Sequence, residues 1–359
     1  MRFVKAELPL SATRSLHDDP VGFDPAWLQK AGDLGWFAML VGEQDGGGSV
    51  SGQGLIDAAI VAEELGRHGQ PGPFIPMNIV ASAISKLGSE EQRSQYLPGI
   101  VSGATVATWA WADRGGEWDS GASMAAVADG DKICLDGQRG FVLDACSAHV
   151  ILVAAQMARK PVQLLVPTDS HGVTVTPLHA LDLSRRLATV SFDSTSVPRT
   201  CLLGSGDLDL VAQLQIGVAL VLADTVGAVD ALFEMTWAYA KDRIAFGRPI
   251  GSYQAIKHIL ADVALDLETC KAGAVAAAEA AQAKDDNADE VVSAIASGVF
   301  DRANEIAQQC LQIHGGIGYT WEHNLHLLLR RVRSNSALLG NASWHRERLC
   351  RFQGMGVSA

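Results

Sequence analysis

Residues 211–242 restrict the fold of this sequence most strongly, because they are rich in alanine and other apolar residues and contain no proline. Such a stretch predicts one long helix. After a break at residues 247–249, residues 253–282 predict a second long helix, and residues 291–314 predict a third that ends at two glycines. Long antiparallel helices joined by short turns pack as a bundle. Residues 208–359 are therefore predicted to form a four-helix bundle domain.

Helical signals also fill the first part of the chain, residues 1–107. Asp24 is a capping residue placed before Pro25, and proline suits the first turn of a helix. The run that begins at Leu55 repeats apolar side chains at helical spacing. Ser89 opens a capping-box sequence. These signals predict an N-terminal helical domain.

The apolar pattern changes to that of strands in residues 108–207. Asp129-Gly130 and Asp136-Gly137 are pairs typical of hairpin turns. Three later segments are short, rich in β-branched residues and bounded by turn residues: 149–155, 162–167 and 172–178. We expect a small antiparallel β domain here. The order of helices, strands and helices predicts an α+β chain of three domains, with boundaries at 107/108 and 207/208.

Composition and charge argue against several functional classes. Of the 359 residues, 48% are apolar and 19% are charged, which is typical of a helix-rich globular protein. The net charge of −12 disfavours binding to nucleic acid. Arg330, Arg331 and Arg333 form one cationic cluster, which we expect on a solvated helix face or at a subunit contact.

Targeting and metal-binding signals are also missing from the sequence. It has no uninterrupted apolar run of the roughly 18 residues that a membrane span needs, and its N-terminus lacks the apolar run of a signal peptide. The six cysteines are scattered without CxxC spacing, and no metal-ligand spacing occurs. We therefore expect a cytoplasmic protein that binds no metal, membrane or nucleic acid.

Two segments carry the residues best suited to bind a ligand. Arg243 ends a helix with a planar guanidinium group that suits a diphosphate. Gly247 predicts a sharp turn that lets the backbone approach a ligand, and Gln254 offers a two-sided amide at the start of the next helix. Gly315-Gly316 would expose backbone N–H groups toward a dinucleotide. Either segment alone fits an ordinary helix hairpin or helix end equally well.

Taken together, residues 243–254 and 312–322 resemble the acyl-CoA dehydrogenase family, matching its patterns R-x-x-F-G-x-x-I-x-x-x-Q and Q-x-x-G-G-x-G. The order of helices, β domain and helices agrees with the family fold. The resemblance implies that both segments reach across a dimer interface. There they would hold the pyrophosphate and adenosine side of an FAD that is bound mainly to the neighbouring subunit. The residues given this cofactor-binding role are Arg243, Phe246, Gln254, Gln312, Gly315 and Gly316.

The positions of the family's catalytic base carry residues that cannot accept a proton. In this family a Glu removes the α-proton of an acyl-CoA thioester while the β-hydrogen leaves as hydride to the flavin. The resemblance places this Glu at Leu339 in most members and at Gly217 in a smaller group. Glu234 and Asp224 are weak candidates for a displaced base, because helix carboxylates are usually solvated or paired. We assign no catalytic residue to this chain.

The flavin-facing residues depart from the family as well. Where the family has T-E-P-G-x-G-S-D, this chain has residues 112–119, so that the flavin-contacting Thr corresponds to Ala112 and the pyrophosphate-binding Ser to Trp118. The W-I-T segment beside the flavin ring corresponds to residues 141–143, which places Leu143 at the Thr. We interpret the tryptophans of this region as packing or as the filling of a former flavin pocket: Trp109, Trp111 and Trp118.

Three functional hypotheses follow, and we favour the first. It is a non-catalytic subunit of a heteromeric acyl-CoA dehydrogenase, in which a longer, Glu-bearing homologue completes an α2β2 assembly. The sequence is similar to the shorter subunits of actinobacterial enzymes that act on steroid side-chain CoA thioesters. The second hypothesis is a homo-oligomeric FAD enzyme with a relocated base, and the third is a non-enzymatic scaffold. His314 is expected to cap a helix or line the cofactor groove rather than to act in catalysis.

Overall fold

The computed structural model describes residues 4, 9–16, 19–113, 115–116, 118, 124–204 and 209–355. The N-terminal part of the chain is helical, as predicted. Between residues 19 and 107 its α-helices are α1 (Pro25–Asp33), α2 (Gly54–Arg67), α3 (Phe74–Leu87) and α4 (Glu90–Val101).

The predicted capping residues begin two of these helices. The Asp24 carboxylate accepts a hydrogen bond from the Ala26 N–H at 2.9 Å, with Pro25 in the first turn. Ser89 and Gln92 form a complete capping box at the start of α4. The Gln92 amide also donates to the Thr200 carbonyl at 2.7 Å, so this helix start is tied to the end of the β domain.

Seven strands form one sheet in the middle of the chain. They are β1 (Ala107–Ala110), β2 (Ala125–Asp129), β3 (Lys132–Leu143), β4 (Val150–Met157), β5 (Lys160–Pro167), β6 (Val173–Leu178) and β7 (Leu187–Pro198). Their order is β1-β4-β2-β3-β7-β6, and β5 pairs with β4 outside this path. The strands predicted from 149–155, 162–167 and 172–178 are thus present.

The sheet is mixed rather than purely antiparallel. Four pairings are antiparallel, but β4 pairs in parallel with both β1 and β2. The parallel pairings bring together strands that are far apart in sequence, which local turn signals do not reveal. β1 begins at the predicted boundary 107/108, whereas the boundary 207/208 lies outside the described residues.

Only one of the two predicted hairpin turns is a turn. Asp129 and Lys132 pair across the β2–β3 hairpin, as predicted. Asp136 and Gly137 instead lie inside β3, where the pairing with β7 shifts register between Leu135 and Gly137. Gly137 has a φ of +138°, so the glycine serves a bulge that bends the long strand.

The C-terminal part is a helical domain built around one central helix. It comprises α5 (Leu210–Asp242), α6 (Gln254–Ala283), α7 (Ala288–His314), α8 (Leu325–Asn335) and α9 (Ala342–Phe352), with the hairpin strands β8 (Ile244–Ala245) and β9 (Arg248–Pro249) between α5 and α6. α5 packs against α6, α7 and α8, and also against α2. It is long and apolar enough to cross a membrane, but 89% of its most apolar window is buried inside the protein, as in a core helix.

Two glycines allow α2 and α5 to approach closely. A β-carbon on Gly66 would collide with the Asp224 carbonyl, and one on Gly227 would collide with the Glu63 carbonyl. Since both obstacles are backbone atoms, neither contact can be relieved by a rotamer change. The N-terminal domain is therefore seated directly on the central helix of the bundle.

A buried ionic cluster joins the three domains. We call it the Asp224 cluster: Asp224, Arg331, Arg185 and Asn335. Asp224 on α5 is 2% exposed and accepts two hydrogen bonds from Arg331 on α8, at 2.8 and 2.6 Å. Arg185, from the β domain, lies 3.3 Å from the same carboxylate. Arg331 also donates to the Gln70 carbonyl of the N-terminal domain at 3.1 Å.

The structure corrects the expectation for Arg331 and shows Asp224 paired, as helix carboxylates usually are. Arg331 does not lie on a solvated face but is buried, because its guanidinium is needed to neutralise Asp224. Asp224 is not a displaced base. Its burial favours the neutral acid, but Arg331 and Arg185 outweigh that effect and hold the pKa of the carboxyl below its usual value. A carboxylate held by two arginines has no tendency to take a proton from a substrate.

We predict that Asp224→Ala lowers the free energy of unfolding by about 3–5 kcal/mol, because it leaves two buried guanidinium groups without their counter-charge. Urea unfolding followed by circular dichroism measures this loss. The control is Asp301→Ala, which breaks the exposed pair with Arg346 and should cost about 0–1 kcal/mol. Equal losses in the two variants would contradict the structural role of the Asp224 cluster.

Asp144 should make stability depend on pH in the opposite direction from an ordinary ion-paired carboxylate. Burial raises its pKa to about 6, against the attraction of Arg185, Arg331 and Arg186. Because the pKa of Asp144 is higher in the folded state than its unfolded value of about 3.9, the protonated acid stabilises the fold. This stabilisation is complete below about pH 4. That contribution is lost as the pH rises through 6.

We therefore expect Asp144→Asn to become progressively more stable than the natural chain between pH 4 and 7, by up to about 3 kcal/mol. Asn also accepts the left-handed backbone of this position, where φ is +53°. Urea unfolding across this pH range tests the expectation, with the exposed Asp129→Asn as control. A stability difference that stays constant with pH would show that Asp144 is not the titrating group.

Candidate functional site: an exposed half-site beside a filled pocket

The segment that contains Arg243 and Phe246 forms a rigid hairpin on the protein surface. The Arg243 N–H donates to the Tyr239 carbonyl at 2.8 Å, so that α5 ends there. Phe246 and Gly247 both have positive φ, +50° and +80°, which is the geometry of a tight turn between β8 and β9. The Tyr253 hydroxyl donates to the Ala245 carbonyl at 2.9 Å and holds the hairpin against the start of α6.

Phe246 is 97% exposed at the tip of this hairpin. A large aromatic side chain in the left-handed region carries both a backbone strain and the cost of an apolar group in water. No contact within the described part of the chain offsets these costs. The hairpin therefore has the properties of a segment that is covered by another molecule.

Gln254 is the first residue of α6, and its side chain is exposed. No side chain caps this end of the helix. The first N–H groups of a long helix therefore point outward without a side-chain acceptor, an arrangement that suits a phosphate group.

The second segment ends α7 with accessible backbone. Gln312 is exposed, and Gly315 adopts φ +64° and ψ −141°, a conformation that is largely restricted to glycine. A β-carbon added to Gly315 or Gly316 would meet no atom within 4 Å. The glycines are thus not required by packing within the chain, and they leave open space next to the backbone.

A stacked ring pair brings the two segments together. Tyr239, one turn before Arg243, stacks on His314 with ring centroids 4.5 Å apart and an angle of 17° between the planes. His314 Nδ1 lies 2.9 Å from the Cys310 carbonyl, so it carries the proton that it donates there. Burial, together with repulsion from His323, lowers the pKa of His314 despite that bond. His314 is therefore neutral and joins the ends of α5 and α7 through its stack with Tyr239. Tyr239 was not predicted, because an aromatic residue on a core helix gives no local signal.

The two positions predicted for the catalytic base lie against each other. A β-carbon on Gly217 would come within 2.5 Å of Leu339 Cδ1 and 3.1 Å of Ile79. Leu339 is buried and has a φ of +58°. Positions that were located separately in the sequence, from two patterns, thus meet at one point between α5 and α8. Leucine fills this point, and no carboxylate is present there.

Aromatic side chains fill the space next to this point. Trp109 and Trp111 stack with centroids 5.0 Å apart, and Trp118 packs edge-on against Trp111 at 6.3 Å. The cavity that remains among them, Phe141 and Leu339 has a volume of about 20 Å³. Sites for drug-sized ligands have volumes of about 300–1,000 Å³. This pocket holds about one water molecule.

The flavin-facing half therefore does not fit an isoalloxazine ring. The lining residues Ala112 and Leu143 offer no side-chain hydrogen-bond donor, and none of the described lining residues is titratable. Asp113, next to Ala112, is instead paired with the fully buried Arg139 at 2.5 Å. Three residues of the substituted loop, Arg114, Glu117 and Asp119, lie outside the described residues.

Glu234 is not placed to replace the missing base. Its side chain is 62% exposed on the surface of α5 and forms an ion pair with Arg67 of α2. Neither Glu234 nor Asp224 lines the filled pocket. Among the described residues no group of three or more His, Cys, Asp or Glu side chains is arranged to hold a metal ion.

The comparisons with known proteins agree with this geometry. Residues 205–353 match the description "Acyl-CoA dehydrogenase, C-terminal domain", and residues 1–104 match "Acyl-CoA dehydrogenase, N-terminal domain". The mitochondrial short-chain specific acyl-CoA dehydrogenase of Bos taurus is 30% identical over 321 residues, which cover 84% of this chain and 75% of that protein. This chain belongs to the acyl-CoA dehydrogenase family.

Two further relatives are informative. The acyl-CoA dehydrogenase FadE34 of Mycobacterium tuberculosis (strain H37Rv) is 32% identical over 360 residues, which cover 97% of this chain but only 46% of FadE34. Among solved structures, a variant of the Tcur3481-Tcur3483 steroid acyl-CoA dehydrogenase superposes with a TM-score of 0.88 at 25% identity, over 98% of this chain and 95% of that one. The predicted fold is confirmed.

We predict that placing an acid at this point by Leu339→Glu does not give the isolated chain acyl-CoA oxidation activity. The carboxyl group would be buried among tryptophans, and the free energy of unfolding should fall by at least about 2 kcal/mol. Leu339→Met, which conserves volume, should change it by less than about 1.5 kcal/mol. Thermal unfolding and an acyl-CoA oxidation assay on the purified chain measure both effects. A stable Glu variant that binds FAD and oxidises acyl-CoA would show that the pocket opens.

Proposed function

We propose that this chain is the non-catalytic subunit of a heteromeric, FAD-dependent acyl-CoA dehydrogenase. Its exposed half-site would complete the FAD site of a longer, Glu-bearing homologue in an α2β2 assembly. The six cysteines are unpaired, and their scattered positions support a place in the reducing cytoplasm.

The contrast between the two halves of the site is the observation that carries this proposal. The residues that would reach toward a neighbouring subunit are present and mostly exposed, and the Tyr239–His314 stack joins the two segments that carry them. The residues that would serve a flavin within this chain are replaced by a packed aromatic cluster. The strained and exposed position of Phe246 is costly unless the residue has a function. Its presence therefore argues against a chain without any function.

A groove beside the hairpin supports contact with another subunit at this end. It has a volume of about 620 Å³ and lies between the end of α5 and the start of α6. Its lining is mostly apolar, including Trp237, Pro249 and Leu260, but it also contains Lys241 and Lys257. An apolar groove with two cations fits a protein surface on which the phosphates of a dinucleotide lie nearby.

The chemistry is divided between the two chains in this proposal. FAD bound between the subunits would accept the hydride, and the partner's Glu would remove the α-proton. Arg243 would pair with the diphosphate, Phe246 would pack against the adenosine side, and the backbone at Gly315 and Gly316 would lie beside the dinucleotide. The substrate class is an acyl-CoA thioester. Similarity to the Tcur3481-Tcur3483 steroid enzyme supports a steroid side-chain thioester and a two-component assembly.

The chain purified alone, after addition of FAD and gel filtration, should show no visible flavin absorption and no acyl-CoA oxidation. Co-expressed with its longer homologue, it should yield a complex with one FAD per two chains. In that complex Arg243→Gln should weaken FAD binding by about tenfold or more, because it removes a charge-assisted diphosphate contact. Flavin absorbance per chain measures bound FAD in each sample, titration with FAD measures the change in affinity, and an acyl-CoA oxidation assay measures turnover.

The matched control is Arg199→Gln, an exposed arginine of the β domain, which should leave FAD content unchanged. Stoichiometric flavin on the isolated chain would overturn the proposal in favour of a homo-oligomeric enzyme. A complex that assembles with full FAD despite Arg243→Gln would also overturn it. Absence of both flavin and any complex would leave the chain as a scaffold.

A further inference from the structure

A second cleft lies away from both halves of the FAD site. It has a volume of about 430 Å³ and opens between residues 39–54 of the N-terminal domain, the end of α3, the start of α5 and the end of α6. Arg243, Gly315 and the three tryptophans are not among its lining residues. We call it the lysine cleft, after Lys86 and Lys284.

The two lysines approach the same space from different domains. Lys86 lies near the end of α3 and Lys284 follows α6, where it adopts the left-handed backbone with φ +56°. Neither forms an ion pair with a described residue. Partial desolvation, followed by repulsion from Lys284, lowers the pKa of Lys86, while Asp209 opposes this effect. The two ammonium groups are therefore close enough to repel each other.

Asp209 attracts Lys86 but does not line the cleft, and no Asp or Glu is among its described lining residues. Asp45 is paired with Arg93 at 3.3 Å and accepts a hydrogen bond from Ser85 at 2.9 Å. The net charge of the chain is −12. The lining of this cleft carries two unpaired lysines and no described carboxylate, so its local charge is positive.

A buried hydroxyl group also faces the cleft without a partner. Ser82 is 1% exposed, lines the cleft, and its Oγ has no hydrogen-bond partner in the described part of the chain. A buried hydroxyl left unsatisfied is costly, and this one is available to a ligand. The neighbouring polar groups are already fixed: Ser85 Oγ accepts from the Gly42 N–H at 3.0 Å, and Gln282 accepts from the Leu55 N–H at 2.8 Å.

We propose that the lysine cleft binds the phosphate group of a small phosphorylated molecule. Two positive charges match a phosphate dianion, the Ser82 hydroxyl supplies a hydrogen-bonding group, and Gly42, Gly52 and Gly54 also line the cleft. The volume accommodates a phosphate with a small organic group attached. This inference does not depend on the proposed FAD half-site.

Pyrophosphate is the probe for the test, measured by isothermal titration calorimetry on the full chain at low and at high salt. One site per chain is expected, with an affinity that falls as salt rises. Lys86→Gln and Lys284→Asn should each weaken binding by at least about tenfold; Asn is chosen because it accepts the left-handed backbone. Lys160→Gln, an exposed lysine on β5, should change affinity less than about twofold.

A second measurement keeps the test decisive if a variant is unstable. Acetic anhydride labels free amines, and mass spectrometry reads the rate at each lysine of the natural chain. Pyrophosphate should protect Lys86 and Lys284 but not Lys160. The proposal is overturned if pyrophosphate shows no saturable binding, if the two cleft variants bind as well as the Lys160 variant, or if labelling of Lys86 is not reduced.

Discussion

The whole structure depends on one buried carboxylate, that of Asp224, held between two arginines. Taking an ionised carboxylate out of water is costly, and only the full set of partners makes it tolerable. Those partners come from every part of the fold: Arg331 from the bundle, Arg185 from the β domain, and through Arg331 the Gln70 carbonyl of the N-terminal domain. The relative placement of the domains is therefore fixed by an interaction that is satisfied only when all of them are in position.

The Asp224 cluster explains how the pocket at Leu339 can be filled by side chains while the fold stays the same. The space between the sheet and α5 is bounded by elements whose positions the Asp224 cluster sets, so side chains there can change as long as the volume stays packed. Leu339 and Gly217 meet in that space, and the tryptophans complete it. A Glu at either position would be an unpaired buried acid next to these rings. The leucine at this point and the aromatic side chains beside it are thus compatible with each other, because both keep the space apolar and packed.

The sequence predicted local features well and distant ones poorly. The helix spanning 211–242, the capping box at Ser89 and the β2–β3 hairpin are each specified within a few residues, and each was found. Arg331 was misjudged because its partner Asp224 lies 107 positions earlier in the chain. The parallel pairing of β1 with β4 and the bulge at Gly137 likewise depend on distant strands. For the site, the two positions that the family patterns gave for a base, Leu339 and Gly217, lie next to each other in the fold, but no pattern indicated Tyr239.

The two parts of the site differ in how well their side chains are packed. The pocket is filled, whereas the hairpin and the helix ends beside it are exposed. The filled pocket is at a packing minimum: opening it would separate stacked rings and expose them to water. The half-site is the reverse, because Phe246 is strained and solvated, the start of α6 is uncapped by any side chain, and Gly315 leaves open space beside the backbone. Each of these costs is relieved by covering the surface, and none is relieved within the described part of the chain. Covering this surface would therefore be favourable, whereas the filled pocket has room for about one water molecule.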